Sequence, residues 1–190
     1  MMNFLIHIDE QAFLFLNSFH CPLCDGIMIF VTSKISWIPL YIFILWKIFH
    51  KDRWGIVYFI VCAVFCVLLS DRISVFVKEY FQRLRPCHND SLKMVVYTVN
   101  GRCGGLYGFV SSHAANAFAV ATLVSLVCKR KTITIIMTVY AILVSYSRIY
   151  LGVHFPADII GGALLGICIA VPVYYLYVVL LKRYLSSAWQ

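Results

Sequence analysis

Long apolar runs alternate with short polar connections along most of this chain. The runs extend over residues Ile27–Ile48, Trp54–Val77, Ala114–Cys128, Thr132–Tyr150 and Ala157–Leu181. A helix that crosses a bilayer needs about 20 mostly apolar residues, and in lipid it satisfies its own backbone hydrogen bonds. The pattern therefore predicts an all-α fold, a polytopic transmembrane helical bundle of five spans that forms a single domain over residues 1–190.

Residues 1–20 are also mostly apolar, but Asp9, Glu10 and Gln11 interrupt them. Such an interruption is typical of an amphipathic helix that lies in the membrane interface. We therefore expect an N-terminal interfacial helix, with a sixth span as the alternative. Within the last span, Gly162 and Gly166 lie four residues apart, a spacing that favours close helix packing.

Composition agrees with a membrane protein, because 62% of the residues are hydrophobic, 13% are charged and the mean hydropathy is +0.87. These values lie outside the range of soluble domains. The formal net charge of +8 requires no nucleic-acid partner, and we expect none. Half of the basic residues fall in loops that five spans place on one face, which is cytoplasmic by the positive-inside rule: Lys47, Lys51, Arg53, Lys129, Arg130, Lys131, Lys182 and Arg183.

Three other basic residues, Lys78, Arg85 and Arg148, fall at the opposite face. Lys78 and Arg85 are seven residues apart, so both project from one side of the second span if its helix continues to Pro86. For any one of these residues alone, snorkelling of a long side chain to the headgroups is the alternative explanation. Their common face favours a shared role.

Two helix starts are predicted at the same face. Ser111 or Ser112 suits the N-cap of the third span, which places His113 in its first turn, where unpaired N–H groups attract anions. The stretch "SRIYLGVHFPAD", residues 147–158, places His154 just before the fifth span. Asp158 follows four residues later and can accept a hydrogen bond from the imidazole.

Basic side chains and N–H donors around two histidines suit the binding of a phosphoryl group. One histidine can attack phosphorus while the other protonates the departing oxygen. This chemistry requires neither a metal nor a cofactor.

Three motifs in this order resemble the type 2 phosphatidic acid phosphatase superfamily: K-x6-R-P (Lys78, Arg85, Pro86), S-x-H (Ser111, His113) and S-R-x5-H-x3-D (Ser147, Arg148, His154, Asp158). The resemblance implies a metal-independent phosphatase that forms a phosphohistidine. By motif, His154 is the expected nucleophile, Asp158 its orienting partner and His113 the general acid. The expected phosphate-binding residues are Lys78, Arg85, Ser111, Ser112 through its backbone, and Arg148.

The second motif departs from the family pattern P-S-G-H, because Val110 and Ser112 replace the usual Pro and Gly. Glycine permits a close approach of backbone to phosphate. The sequence therefore does not fix the backbone geometry of this loop. It does keep the hydroxyl of Ser111 and the imidazole of His113.

The expected reaction is hydrolysis of a membrane lipid phosphate or pyrophosphate. Among substrates we favour undecaprenyl pyrophosphate, with lipid A, phosphatidylglycerol phosphate and phosphatidic acid as alternatives. A transporter is the alternative class, although transporter sites tend toward the bilayer midplane on interrupted helices. The expected location is the bacterial inner membrane, with the site facing the periplasm or exterior.

Cys87 and Cys103 bracket the loop "CHNDSLKMVVYTVNGRC" between the first two motifs. A periplasmic loop permits oxidation, so the two thiols are a possible disulfide. Two free thiols, or pairing with Cys21 or Cys24, are the alternatives, because sequence does not fix connectivity.

Overall fold

The computed structural model describes residues 2–49 and 55–187, with side chains described for 4–48 and 55–184. This part of the chain is helical and contains no β-strand, so the all-α prediction is confirmed. Trp54, the predicted start of the second span, and the loop residues Lys51 and Arg53 lie outside the described residues. The helices are α1 Met2–Asn17, α2 Pro22–Thr32, α3 Ile38–Phe49, α4 Gly55–Phe81, α5 Ser112–Cys128, α6 Lys131–Tyr150 and α7 Pro156–Ser187.

Helix α5 is the centre of the bundle and packs against α4, α6 and α7. Its alanine-rich sequence allows this, and Ala114, Ala115 and Ala119 have no exposed surface. A Cβ atom on Gly162 of α7 would lie 2.5 Å from the Ser111 carbonyl oxygen, and one on Gly166 would lie 2.2 Å from that of Ala115. Close packing therefore explains the two glycines.

The predicted first span, Ile27–Ile48, is not one continuous helix. Helix α2 ends at Thr32, a 3-10 turn follows at Ile35–Trp37, and α3 begins at Ile38. Ser33 adopts extended backbone here. Carbonyl groups at the end of α2 are satisfied by side chains instead of a further turn: Ser36 Oγ donates to Phe30, and Trp37 Nε1 donates to Val31 at 2.7 Å.

Three described helices are long and apolar enough to cross a membrane: Gly55–Phe81, Lys131–Tyr150 and Pro156–Tyr184. Helices α1 and α2 add a fourth span if they count as one, although they are bent by 114°. Helices α3 and α5 are apolar but shorter. The fold is thus a bundle of membrane helices, and the count of five spans stays a prediction.

Helix α1 is docked on the end of the bundle where α6 ends and α7 begins. Asn17 is almost fully buried, and its amide donates to the carbonyl groups of Ile149 at 3.1 Å and Tyr150 at 2.9 Å. Phe13 packs edge-on against Phe155, with ring centroids 5.3 Å apart. The segment expected to lie in the interface therefore also contacts the bundle.

The polar connection from α4 to α5 corrects the expectation that Lys78 and Arg85 share one helix face. Helix α4 ends at Phe81, and Gln82 has a φ of 48°. Arg85 then adopts extended backbone, as expected for a residue before proline. Its N–H donates to the Leu106 carbonyl at 3.1 Å. The loop therefore pairs with itself and delivers Arg85 to the site separately from Lys78.

Candidate active site

The centre of the site is a buried pair, His154 and Asp158, at the start of α7. His154 lies in the short connection after α6, and Pro156 begins α7. His154 Nδ1 lies 3.4 Å from Asp158 Oδ2. The side chain of Asp158 has no exposed surface, and that of His154 has 2%. The helical spacing of four residues brings the two groups together, as the sequence predicts.

Asp158 is held by several further hydrogen bonds. Its Oδ2 also accepts from the Phe155 N–H at 2.9 Å, and its Oδ1 accepts from Arg83 Nη1 at 2.9 Å. Its backbone carbonyl accepts from the Ser111 N–H at 3.0 Å. The last bond joins the start of α7 to the start of α5, so the two predicted helix N-termini lie side by side.

The first turn of α5 meets the end of α4 at Ser112. Lys78 Nζ donates to Ser112 Oγ at 2.5 Å, and the hydroxyl groups of Ser74 and Ser112 are 2.7 Å apart. Ser111 occupies the N-cap position, but its side chain makes no capping hydrogen bond. The serine that replaces the family's glycine thus contacts the lysine of the first motif through its side chain.

Arg85 and Arg148 approach the site from the loop and from α6. Arg85 Nε donates to the Tyr107 carbonyl at 3.2 Å, and its Nη1 donates to that of Cys103 at 3.1 Å. Arg148 Nη1 donates to Thr32 Oγ1 at 2.8 Å. These contacts fix both guanidinium groups, and α2 supplies a partner for the second.

The predicted site residues lie close enough to interact electrostatically. His113 interacts with Arg148, His154 and Arg85, and Lys78 interacts with Arg85 and Asp158. Five buried polar atoms of the described residues have no hydrogen-bond partner, and two of them, Ser111 Oγ and Arg148 Nε, belong to predicted site residues. Buried polar groups normally have partners, and the oxygens of a bound phosphoryl group would be suitable partners for these donors. The arrangement suits the binding of a phosphoryl group.

Burial keeps His154 in its neutral form. Removal from water is the largest effect and lowers the pKa of His154 to about 4, while Asp158 opposes this shift and the nearby Arg85 and Arg148 add to it. A neutral imidazole retains a lone pair on the ring nitrogen that does not face the carboxylate. An imidazole in this state can act as a nucleophile at neutral pH without prior loss of a proton.

Three residues of the site were not predicted from the sequence. Arg83 donates to Asp158, it also donates to Asp9 of α1, and Gly108 lies beside Asp158 and His154. A Cβ atom on Gly108 would lie 2.9 Å from Asp158 Oδ2 and 3.6 Å from His154 Nδ1. Among these three residues, only Gly108 carried a sequence signal, since it lies just before the second motif.

Two cysteine pairs lie at this end of the molecule. Cys87 is bonded to Cys103 with a Cα–Cα distance of 6.0 Å, and Cys21 is bonded to Cys24 at 5.1 Å. The first pair closes the loop that carries Arg85, and the Cys103 carbonyl accepts from that arginine. The alternative pairing of the loop cysteines with Cys21 or Cys24 is not the one present.

Comparison with known proteins identifies a matching protein family and several similar proteins. The family model of the PAP2 superfamily matches residues 36–182. The lipid A 4'-phosphatase of Bacteroides thetaiotaomicron is 35% identical over 169 residues, 87% of this chain and 75% of that protein. That of Porphyromonas gingivalis is 36% identical over 189 residues, 98% and 80% of the two chains. An undecaprenyl-diphosphatase of Sulfolobus acidocaldarius is 28% identical over 164 residues, 85% and 74%.

The fold is also that of a solved structure, a transmembrane PAP2 type phosphatidylglycerolphosphate phosphatase from Bacillus subtilis. The two structures superpose with a TM-score of 0.70 at 24% identity, covering 92% of this chain and 86% of the other. This likeness supports the prediction of a transmembrane helical bundle.

Proposed function

The chain belongs to the PAP2 superfamily and is a bacterial membrane lipid phosphatase, and we propose that it removes the 4'-phosphate of lipid A through a phosphohistidine intermediate. The observation that carries the proposed chemistry is the buried pair of His154 and Asp158, with Lys78, Arg85 and Arg148 around it. A neutral imidazole beside fixed cations is suited to attack a phosphorus atom whose oxygens those cations hold.

The proposed first step transfers the phosphoryl group to the enzyme. His154 Nε2 forms a bond to phosphorus as the bond between phosphorus and the sugar oxygen breaks. Nδ1–H of the same ring donates to Asp158, which stabilises the positive charge that forms on the imidazole. The negative charge of the bound phosphoryl group favours protonation of His113, and the imidazolium gives its proton to the departing sugar oxygen, which leaves as a hydroxyl group.

The proposed second step releases phosphate and restores the enzyme. A water molecule attacks phosphorus and gives a proton to His113, which is now the base. The bond between phosphorus and Nε2 breaks, so inorganic phosphate leaves and His154 returns to its neutral form. Lys78, Arg85 and Arg148 offset the charge on the phosphoryl oxygens in both steps, so the proposal needs no metal.

A cavity of about 520 Å³ supports a substrate with long apolar chains. The cavity begins beside Ser112 and His113 and continues between α3, α4, α5 and α6. Its inner wall is mostly apolar and includes Ile44, Phe59 and Val124. A lipid whose phosphate lies beside His113 can place a chain against this wall, where apolar side chains replace the bilayer lipid that the chain leaves.

Lipid A replaces undecaprenyl pyrophosphate as the favoured substrate. The two relatives that are 35% and 36% identical are lipid A 4'-phosphatases, whereas the undecaprenyl-diphosphatase is 28% identical. That relative makes undecaprenyl pyrophosphate the second candidate. The charges of the site suit either substrate, since both present a terminal phosphate at the membrane surface.

We propose further that the protein lies in the inner membrane, with the site toward the periplasm. A second cavity, of about 920 Å³, is lined by Lys47, Lys129 and Arg130. Two of the basic loops therefore meet at one end of the bundle, and the histidines lie at the other end. The positive-inside rule assigns the basic end to the cytoplasm.

A phosphate-release assay tests the proposed substrate. The purified protein in detergent is given lipid A, undecaprenyl pyrophosphate, phosphatidylglycerol phosphate or phosphatidic acid, with a metal chelator present. We expect the highest kcat/KM for lipid A, loss of its 4'-phosphate by mass spectrometry, and no turnover by His154→Ala. A higher kcat/KM for another lipid would contradict lipid A as the substrate. Activity that requires added magnesium would contradict the metal-free mechanism.

A further inference from the structure

Arg83 lies between two carboxylates that come from opposite ends of the sequence. Its Nη1 donates to Asp158 Oδ1 at 2.9 Å, and its Nη2 donates to Asp9 Oδ2 at 2.5 Å. The arginine side chain is 26% exposed, that of Asp9 is 12% exposed and that of Asp158 has no exposed surface. Arg83 falls among the six variable positions of the first motif, so the motif assigns it no role.

The contact with Arg83 compensates the burial of the Asp158 carboxylate. A carboxylate removed from water is costly unless a charge and hydrogen bonds compensate it. Asp158 Oδ2 accepts a hydrogen bond from the Phe155 N–H and faces Nδ1 of His154. Arg83 bonds to the other oxygen, so the two oxygens have different partners. The carboxylate then cannot rotate without breaking a bond on each side.

Asp9 fixes the arginine from the opposite side. Asp9 Oδ1 accepts from the Ala157 N–H at 2.8 Å, which ties α1 to the first turn of α7. The guanidinium carbon of Arg83 also lies 4.2 Å from the centre of the Phe155 ring, an arrangement that favours a cation. Arg83 is thus held by a carboxylate and an aromatic ring as well as by Asp158.

We propose that Asp9 and Arg83 are positioning residues that fix the Asp158 carboxylate, and through it the His154 ring, so that α1 completes the catalytic unit. The inference rests on the proposed role of His154. Neither residue is among the predicted phosphate-binding residues, and both act through Asp158. Their effect is therefore on the rate of phosphoryl transfer, which depends on the orientation of the ring, and not on the affinity for the lipid.

The test compares Arg83→Gln, Arg83→Lys, Asp9→Asn and the double variant Asp9→Asn/Arg83→Gln, each assayed on the lipid phosphate that the wild type turns over fastest. We expect Arg83→Gln to lower kcat about tenfold to a hundredfold, because a hydrogen bond between charged groups is lost, with KM changed less than about threefold. Arg83→Lys restores part of kcat by retaining the charge. Asp9→Asn has a smaller effect, and the double variant is no slower than Arg83→Gln alone.

Lys93→Gln is the matched control, because Lys93 forms an exposed ion pair with Asp90 in the same loop, at 2.6 Å. We expect it to match the wild type. The inference is wrong if folded Arg83→Gln keeps kcat within about twofold, if KM rises as much as kcat falls, or if the two single losses simply multiply in the double variant. Should Arg83→Gln fail to fold, Asp9→Asn and Arg83→Lys give the same comparison of kcat with KM.

This test is separable from the proposed substrate. If lipid A is the wrong lipid, the wild type has a higher kcat/KM for another lipid phosphate, and the effect of Arg83→Gln on kcat is measured there. If His154 is not the nucleophile, His154→Ala keeps activity whatever Arg83→Gln does.

Discussion

His113 and His154 are chemically different although both are imidazoles in one site. His154 is buried and faces Asp158, whereas His113 lies in the first turn of α5 and lines the cavity. In the proposed mechanism, the carboxylate stabilises the positive charge that His154 bears while it is bonded to phosphorus. In the proposed mechanism His113, which lines the cavity proposed to hold the lipid, is the proton donor. The two roles make different predictions for leaving groups.

Replacement of His113 should therefore depend on the substrate. We expect His113→Ala to lower kcat on a lipid phosphate by about a hundredfold or more, because a sugar or alkyl oxygen needs a proton as it leaves. An aryl phosphate with a good leaving group should lose much less. His154→Ala should abolish both activities, and phosphate release measures each. Equal losses on the two substrates for His113→Ala would contradict the assignment.

Gly108 gives a second prediction at this scale. A methyl group there would lie 2.9 Å from Asp158 Oδ2, and that oxygen cannot retreat without losing its bonds. We expect Gly108→Ala to lower kcat by about a hundredfold, the effect of a shift of about 1 Å in a reacting group. Gly105→Ala is the control, since no atom lies within 4 Å of its added carbon. Similar kcat values for the two variants would show that the close approach does not matter.

At the scale of elements, the loop between α4 and α5 positions Arg85 through a disulfide and hydrogen bonds within the loop. The Cys87–Cys103 bridge spans a sequence separation of 16 and joins the segment after Arg85 to the carbonyl that Arg85 contacts. Closing a loop of this length is worth about 3 kcal/mol in the chain-entropy model. The bridge thus restricts the loop and the arginine together.

The paired substitution Cys87→Ser/Cys103→Ser should lower the thermal unfolding temperature and raise KM, because Arg85 loses a fixed partner for its guanidinium. Cys168→Ser, which changes an unbridged exposed cysteine, is the control. Alkylation without reductant, followed by mass spectrometry, checks the bond itself. Two freely alkylated thiols in protein from an oxidising compartment would contradict it.

Local sequence signals predicted some elements well and others badly. Pro156 predicts the start of α7, and the spacing of His154 and Asp158 follows from a helix that begins there. The position of Arg85 in the loop was predicted wrongly, because the carbonyl groups of Leu106 and Tyr107 hold it and no local sequence pattern indicates these contacts. Helix α3 likewise begins after the side chains of Ser36 and Trp37 satisfy carbonyl groups at the end of α2, which the apolar pattern does not reveal.

At the scale of the whole molecule, the site is assembled from contacts far apart in sequence. Arg83 and Asp158 are 75 residues apart, and Asp9 and Ala157 are 148 apart. Composition and periodicity predicted a membrane bundle, and the motifs singled out residues that lie together at one end of it. They could not predict that α1 docks beside them, since one interrupted apolar segment is compatible with an interfacial helix or a span.

Sidedness is the prediction that belongs to the whole molecule. Because the basic loops and the histidines lie at opposite ends of the bundle, the loop near Asn100 should be periplasmic and the C-terminus cytoplasmic. Reporter fusions into that loop and after Gln190 measure this directly. A cytoplasmic signal from the fusion near Asn100 would contradict the orientation.

Direct detection of the covalent intermediate tests the central claim, that His154 is the nucleophile of a lipid phosphatase. The enzyme is mixed with lipid A for a single turnover, quenched in alkali, in which phosphohistidine survives, and digested for mass spectrometry. We predict a phosphoryl group on Nε2 of His154, present in wild type and His113→Ala and absent from His154→Ala. Phosphate found on another residue, or turnover in His154→Ala, would contradict the mechanism.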